Sequence, residues 1–189
     1  MEDEVPLAMQ THTPTPAPGP PPQRLEALFQ EHGRSVFRTA LRVTGSESDA
    51  EDVVQTVFLR LLDGGHLATL EEEAGGYLRR AASNAALDVL RRRKTSRAVP
   101  LEGAPQLPDD RATAERLLES RRLRDALRRG LGELNERGAE VFTLRHIEGL
   151  SNGEIAELLG TSAAVVAVTL HRARRTLQKH MRELAGDVR

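Results

Sequence analysis

Residues 151–177, SNGEIAELLGTSAAVVAVTLHRARRTL, contain two helix signals on either side of a glycine. Ser151 and Glu154 have the spacing of a capping box, which predicts the start of a helix. Apolar residues continue from there to Gly160, and the Thr-Ser pair that follows can cap a further helix. The stretch therefore predicts two short helices joined by a tight turn.

Three positions in this stretch have helix-turn-helix spacing. Ala156 provides a small side chain where two helices cross, Gly160 tolerates a positive φ, and Val166 is a branched apolar anchor on the second helix. In such a motif the second helix enters the major groove with its N-terminus first, and the arginines of LHRARRTL would reach phosphates. A structural hairpin that binds no DNA is the alternative.

The composition limits the class of protein. With 189 residues, 39% of them hydrophobic, the chain is long enough for one medium domain or two small ones. It contains no cysteine, which excludes disulfides, thiolate zinc sites and a cysteine nucleophile. No apolar run approaches the roughly 18 residues of a membrane span, and the acidic start MEDEVPLAMQ is unlike a secretory signal. We therefore expect a cytoplasmic protein.

The formal net charge is only −1, but the charges are segregated along the chain. Residues 44–73 hold eight acids and one arginine, residues 77–97 hold seven bases and one acid, and residues 171–182 hold five bases and no acid. This segregation indicates one partner for the acidic segment and a polyanion for the basic segments. For any single run, a solvated helix face is the alternative.

Helical periodicity dominates the upstream sequence, and strand signals are absent. Residues 1–23 are rich in proline, so we expect a disordered tail. Apolar residues at three- and four-residue steps predict a helix from Leu25 onward. DAEDVVQTVFLRLL, at residues 49–62, predicts a second helix capped by Ser48 and Glu51. GGYLRRAASNAALDVLRRRK, at residues 75–94, predicts a third.

The predicted fold class is all-α, with two small helical domains joined by a flexible linker. Residues 24–97 are assigned to the first domain. Prolines and acids in VPLEGAPQLPDD indicate a linker, to which residues 98–120 are assigned, although helix is expected to resume near Arg111. Residues 121–185 are assigned to the second domain.

Together these segments resemble the sigma-70 family of bacterial transcription initiation factors, in particular its extracytoplasmic-function (ECF) group. DAEDVVQTVFLRLL is similar to region 2.2, and YLRRAASNAALDVLRRRK to the segment that binds and opens the −10 promoter element. LRHIEGLSNGEIAELLG with LHRARRTL is similar to region 4, which binds the −35 element. The resemblance covers most of the chain outside the tail. It implies a dissociable RNA polymerase subunit that directs promoter-specific initiation.

The resemblance to region 2.2 implies a binding surface for the clamp helices of the polymerase β′ subunit. Acids at the start of this helix also have a structural interpretation, because they stabilise a helix N-terminus. That interpretation does not explain Gln55. The expected core-polymerase contacts are Asp49, Asp52, Gln55, Thr56 and Leu59.

The third helix is expected to contact the −10 element through cations, because guanidinium groups suit phosphates. Asp88 is instead expected to form an intrahelical ion pair, which aligns Arg92 or caps a neighbouring helix. The expected −10 contacts are Arg80, Asn84, Arg91, Arg92 and Arg93.

The second helix of the helix-turn-helix departs from the family pattern. Family members often read like TVKSRLHRAR, whereas this sequence has VVAVTLHRAR, so small or apolar residues replace polar readers. Bidentate base contacts each contribute about 1–3 kcal/mol of discrimination. We therefore expect fewer of them and more reliance on thymine methyl groups, groove shape and phosphates. The expected −35 contacts are Ser162, Ala164, Ala167, Val168, Thr169, His171, Arg172, Arg174 and Arg175.

The implied partners are core RNA polymerase, through its β′ clamp helices and β flap, promoter DNA and an anti-sigma factor, without membrane insertion. We expect no enzymatic activity, metal or cofactor, since the histidines lack ligand spacing and no glycine-rich phosphate loop is present. Two alternatives remain: a sigma-like decoy that sequesters an anti-sigma factor, and a stand-alone helix-turn-helix regulator. Transcription with core polymerase distinguishes them, because neither alternative would yield a promoter-specific transcript.

Overall fold

The computed structural model describes residues 21–63, 70, 74–95 and 111–186. Within these ranges no strand occurs, which confirms the all-α prediction. No single described helix has both the length and the apolar character to cross a membrane; α6 with most of α7 meets that test only as a bent pair. The helices are α1 (Pro21–Thr44), α2 (Glu47–Asp63), α3 (Ala74–Thr95), α4 (Arg111–Glu133), α5 (Glu136–His146), α6 (Asn152–Leu158) and α7 (Ala163–Gly186).

The first three helices form a bundle around one apolar core. The predicted stripe of α2 is buried, with Val53, Val57 and Leu61 at most 2% exposed. α3 packs against it through small side chains, since Ala82 and Ala86 are fully buried. These alanines allow the helix backbones to approach closely, which explains the alanine-rich face of α3.

The last three helices enclose a smaller core of their own. It consists of buried apolar residues from each helix, together with partly buried leucines at the ends of α6. Because α6 has only seven residues, its position depends on this packing and on its cap. The buried members of this core are Val141, Leu144, Ile155, Ala156, Val166 and Leu170.

The two halves of the chain are packed against each other. Leu131 and Leu134, at the end of α4, are buried in the same cluster as the bundle of α1, α2 and α3. Ala139 of α5 and Leu177 of α7 belong to that cluster as well. The two predicted domains therefore share an apolar contact. Their boundaries stay a prediction.

The start of α2 differs from the prediction. Ser46 Oγ accepts a hydrogen bond from the Asp49 backbone N at 3.4 Å, and Ser46 O accepts one from Ala50 N at 3.0 Å. Ser46 is thus the N-cap, and the capping box predicted for Ser48 is wrong. The reason is Gly45, whose φ of +72° ends α1 and reverses the chain, so the next residue already caps α2.

Two predicted boundaries fall partly outside the described residues. α1 begins at Pro21, so the last residues assigned to the tail are helical, in keeping with the tolerance of proline in a first turn. Residues 1–20 lie outside the described ranges, as do residues 96–110 of the assigned linker. Residues 111–120 form the first half of α4, as the expectation of helix near Arg111 implies.

Candidate functional site

α6 and α7 form the predicted helix-turn-helix. Their axes are bent by 107° across the turn, within the range for this motif. Ser151 and Glu154 form the predicted capping box, and Gly160 has a φ of +59°. Ala156 and Val166 are buried where the helices cross, at 6% and 1% exposure. Each of the three diagnostic positions therefore has the predicted role.

The exposed face of α7 presents most of the predicted −35 residues. Ser162 caps the helix, since its Oγ accepts a hydrogen bond from Val165 N at 3.3 Å. Thr169 is only partly exposed, and its hydroxyl donates to the Val165 carbonyl at 2.8 Å. The exposed members of the predicted set are Ser162, Ala164, Ala167, Val168, His171, Arg172, Arg174 and Arg175.

Arg174 differs from the other α7 arginines because it contacts α5. Its Nη2 lies 3.2 Å from His146 Nε2. Since a guanidinium can only donate, this nitrogen must accept, which requires a neutral ring protonated on Nδ1. Burial lowers the pKa of His146, and the charges of Arg174 and Arg145 lower it further. The neutral ring therefore positions Arg174 at neutral pH.

The predicted polymerase-binding residues lie on the solvent side of α2. Asp52 and Gln55 are exposed, Leu59 is 57% exposed, and Thr56 is partly exposed. Asp49 is engaged elsewhere, because its carboxylate forms an ion pair with Arg93 of α3. The structure therefore brings four of the five residues together on an open surface and uses the fifth to join α2 to α3.

An apolar groove runs beside this surface, between α1 and α2. Gln55 and Leu59 line it, and so do the exposed side chains of Phe29 and Leu62, at 48% and 44% exposure. Phe29 packs edge-on against Phe58, with ring centroids 5.1 Å apart. Exposed apolar side chains rimmed by polar residues are typical of a protein-binding surface.

Two of the predicted −10 residues bind a glutamate of α5. Arg80 Nε donates to Glu140 Oε1 at 2.7 Å, and Asn84 Nδ2 donates to the same oxygen at 3.0 Å. Arg137 Nη1 donates to the other oxygen at 3.2 Å. Burial raises the pKa of Glu140, but these hydrogen bonds and the charge of Arg80 outweigh it, so the pKa lies below 4.5. Glu140 is therefore a buried carboxylate.

The other predicted −10 residues lie near the C-terminal end of α3. Arg91 Nη1 pairs with Asp88 Oδ1 at 2.8 Å, three residues apart, so Asp88 forms the expected intrahelical ion pair and aligns Arg91. Its predicted alignment of Arg92 stays a prediction. Arg93 binds Asp49 and lies 3.5 Å from the Thr44 carbonyl. Two of the five residues, Arg80 and Asn84, are thus bound to a buried carboxylate, and the other three lie near the end of α3.

A second buried glutamate, Glu148, reaches from the α5–α6 turn to α1 and α3. Its side chain is 7% exposed, and Oε1 accepts a hydrogen bond from Thr39 Oγ1 at 2.9 Å. Arg79 Nε lies 3.8 Å from Oε2. The sequence analysis missed Glu140 and Glu148. For Glu140 one signal exists, a lone acid within the apolar run AEVFTL.

No group of three or more His, Asp or Glu residues within the described ranges is placed to hold a metal ion. An open surface groove follows α7 along Arg172, Arg175, Lys179 and Arg182. The cations along this groove are complementary to an anionic partner.

Comparisons with known proteins agree with this arrangement. Residues 28–96 match the Sigma-70 region 2 family, and residues 124–177 match the family of Sigma-70, region 4. The RNA polymerase sigma-E factor of Streptomyces coelicolor is 35% identical over 159 residues, covering 81% of this chain and 85% of that protein. The ECF RNA polymerase sigma factor SigE of Mycolicibacterium smegmatis is 32% identical over 166 residues, covering 86% of this chain but 63% of that protein.

A solved structure is also similar. It is that of CnrH in complex with the cytosolic domain of CnrY, at a TM-score of 0.52 and 26% sequence identity. The similarity covers 85% of this chain and 90% of that chain. The shared fold therefore extends over both halves of the molecule.

Proposed function

The chain belongs to the ECF group of the sigma-70 family. We propose which of its surfaces bind the polymerase and which bind promoter DNA. The chain directs RNA polymerase in transcription initiation. The observation that best supports this assignment of surfaces is the helix-turn-helix, whose second helix presents an exposed row of cations. In this role the chain performs no chemical step of its own, and it works with the polymerase in the cytoplasm.

We propose that α2 binds the β′ clamp helices of core polymerase. Asp52, Gln55 and Leu59 recur at three- and four-residue steps, so they form one row on the helix. The groove beside them adds exposed apolar surface through Phe29 and Leu62. A row that combines an acid, an amide and a large apolar residue fits a partner helix with basic and apolar side chains.

Charge reversal tests this surface. The Asp52→Arg variant is expected to bind core polymerase at least about tenfold more weakly, because a favourable contact becomes a repulsive one. Glu119→Arg reverses another exposed acid, on α4 between the two proposed polymerase-binding halves; it is the control and should bind as the unmodified chain does. The measurement is affinity for core polymerase by fluorescence anisotropy. If both variants bind equally well, Asp52 does not contact the polymerase.

We propose that α3 contacts the −10 element. Arg91, Arg92 and Arg93 make the end of this helix strongly basic, which suits a phosphate backbone. Arg80 and Asn84 can join that contact only after α5 withdraws Glu140 from them, because one carboxylate now occupies both side chains. Promoter binding through these two residues therefore requires the α3–α5 contact to open.

Permanganate reactivity of unpaired thymines measures promoter opening by the holoenzyme. Replacing Asn84 with alanine should lower that reactivity without changing the affinity for core polymerase, since the Asn84 side chain is directed to Glu140 of α5 and is not part of the proposed polymerase-binding row of α2. Full reactivity of the variant would remove Asn84 from the −10 surface.

We propose that the region 4-like half binds the −35 element through α7 and contacts the β flap. We also propose that an anti-sigma factor holds the chain when it is inactive. The similarity to CnrH, solved with the cytosolic domain of CnrY, supports a protein partner of this kind. A purified candidate should bind the free chain and abolish transcription by the holoenzyme. A candidate that binds without reducing transcription is not the anti-sigma factor.

A further inference from the structure

We propose that Val165 and Val168 recognise thymine methyl groups in the −35 element. The inference rests on the proposed binding of α7 to DNA and identifies what this atypical helix reads. Both side chains are half exposed, at 50% and 51%, although valine is usually buried. They lie three residues apart, so they form one apolar patch at the start of α7.

The position of this patch on α7 places it at the bases. In a helix-turn-helix the N-terminal residues of the second helix reach base edges, and later residues lie nearer the backbone. Arg172 follows Val168 by four residues, and Arg175 follows three residues later, so these cations continue the same row. No acid occurs within residues 171–182. The row is therefore complementary to DNA, with valines toward the bases and arginines toward the phosphates.

The first two turns of α7 offer few hydrogen-bond donors for a base. Ala163, Ala164 and Ala167 have no polar side-chain atom. The Thr169 hydroxyl already donates to the Val165 carbonyl at 2.8 Å. The C5 methyl of thymine is the apolar group that a base pair presents in the major groove. An apolar patch at this position therefore matches thymine.

The valines are held in place before any DNA is bound. Val166 and Leu170, at 1% and 3% exposure, anchor the opposite side of α7 in the helix-turn-helix core. This anchoring fixes the rotation of the helix about its axis, so Val165 and Val168 stay directed outward. Valine in a helix has one strongly preferred χ1 rotamer, which limits the side-chain entropy lost on binding.

The test compares thymine with deoxyuridine, which lacks the methyl group and keeps every hydrogen-bonding atom. Holoenzyme is assembled from the full chain and Streptomyces coelicolor core polymerase, and its −35 preference is selected from randomised promoter DNA. Each selected thymine is then replaced by deoxyuridine. We expect a three- to fourfold loss of affinity at one or two adjacent positions, about the effect of one buried methyl group. The double variant Val165→Ser, Val168→Ser should bind both DNAs equally.

Arg172→Ala is the matched control, since it should weaken binding to thymine and deoxyuridine DNA by the same factor. Equal affinity of the unmodified holoenzyme for both DNAs would overturn the proposal. So would a thymine preference that survives in the double valine variant. If the holoenzyme initiates at specific promoters but its affinity does not depend on the thymine methyl groups, only the recognition of those groups by Val165 and Val168 is rejected. Failure to initiate at any defined site would reject the binding of α7 to the −35 element as well.

Discussion

Glu140 of α5 binds two residues of α3 through its carboxylate. Its carboxylate accepts three hydrogen bonds, from Arg80, Asn84 and Arg137, and its side chain is 8% exposed. A buried charge is tolerable only when it is paired and hydrogen-bonded, and removing one partner leaves the others without compensation. This residue therefore contributes to stability and also withholds two side chains that are proposed to bind DNA.

Replacing Glu140 with alanine should destabilise the chain by about 2 kcal/mol, the scale of hydrogen bonds to a charged group. The measurement is urea unfolding followed by circular dichroism. Glu157→Ala, at an exposed position on α6, should change the free energy of unfolding by less than about 0.5 kcal/mol. Equal effects of the two substitutions would show that the Glu140 contacts contribute nothing.

The pH dependence of stability provides a second test of Glu140. Its pKa is lowered in the folded chain, so the unfolded state binds the proton more readily. The stabilisation is therefore present above about pH 4.5 and is lost as the pH falls through the folded-state pKa. As the pH falls below 4.5, the free energy of unfolding should decrease more for the unmodified chain than for the Glu140→Gln variant. Urea unfolding at each pH measures both decreases. Parallel losses in both proteins would contradict the lowered pKa.

At the scale of elements, the helix-turn-helix depends on one backbone conformation. Gly160 has a φ of +59°, and a Cβ there would meet no atom within 4 Å. The constraint is therefore the left-handed backbone itself, which a side chain disfavours by about 1–2 kcal/mol. Gly153, inside α6, has no such restriction, and a Cβ there would make only an ordinary 3.8 Å contact with Ser151 Oγ.

Gly160→Ala should thus lower the free energy of unfolding by about 1 kcal/mol. Gly153→Ala should leave it unchanged or raise it by up to about 1 kcal/mol, because alanine is the better helix former. Thermal unfolding of the two variants under the same conditions distinguishes the effects. Equal melting temperatures would mean that the turn tolerates a side chain.

Local signals in the sequence were sufficient for most elements. The capping box at Ser151 and the glycine at Gly160 act within a few residues of themselves, so both were predictable. The cap of α2 was misplaced because Ser46 and Ser48 are equally good caps, and only the turn at Gly45 decides between them. Helix caps are predictable where one candidate is present.

The candidate site was less predictable than the helices. Exposed rows such as Asp52 and Gln55 follow from helical periodicity, and the structure places both on the surface. Two of the three partners of Glu140, Asn84 and Arg80, lie 56 and 60 residues upstream, and no local pattern joins residues so far apart. The hydrogen bonds from Arg80 and Asn84 to the Glu140 carboxylate therefore could not be predicted from the sequence and are seen only in the folded chain.

At the scale of the whole molecule, the two halves of the described chain are packed against each other, an arrangement called closed below. Leu131 and Leu134 bury apolar surface against the first bundle, while Glu140 and Glu148 bind residues of α1 and α3. Lys94 and Glu133 add an ion pair at 2.6 Å between α3 and α4. Because Arg80 and Asn84 are bound to Glu140, the contacts proposed for these two residues with the −10 element require this arrangement to change.

Charge reversal at both glutamates should open the molecule. In the double variant Glu140→Arg, Glu148→Arg, each new arginine lies next to an arginine that the glutamate had paired with, so attraction becomes repulsion. The chain contains no cysteine, so spin labels can be attached at cysteines introduced for Arg60 and Gln178, both exposed. Double electron–electron resonance should show a longer and broader distribution of distances between the two labels than in the control variant Glu119→Arg, Glu157→Arg, which reverses two exposed acids. The same distribution in both variants would contradict closure by the two buried glutamates.

The central property proposed for this chain is the promoter preference that it gives core polymerase, and transcription with mapped 5′ ends measures that preference directly. Core polymerase with the unmodified chain should produce transcripts from a small set of defined start sites on genomic DNA. Core polymerase alone should produce none at those sites. An identical pattern of transcript ends with and without the chain would contradict the account.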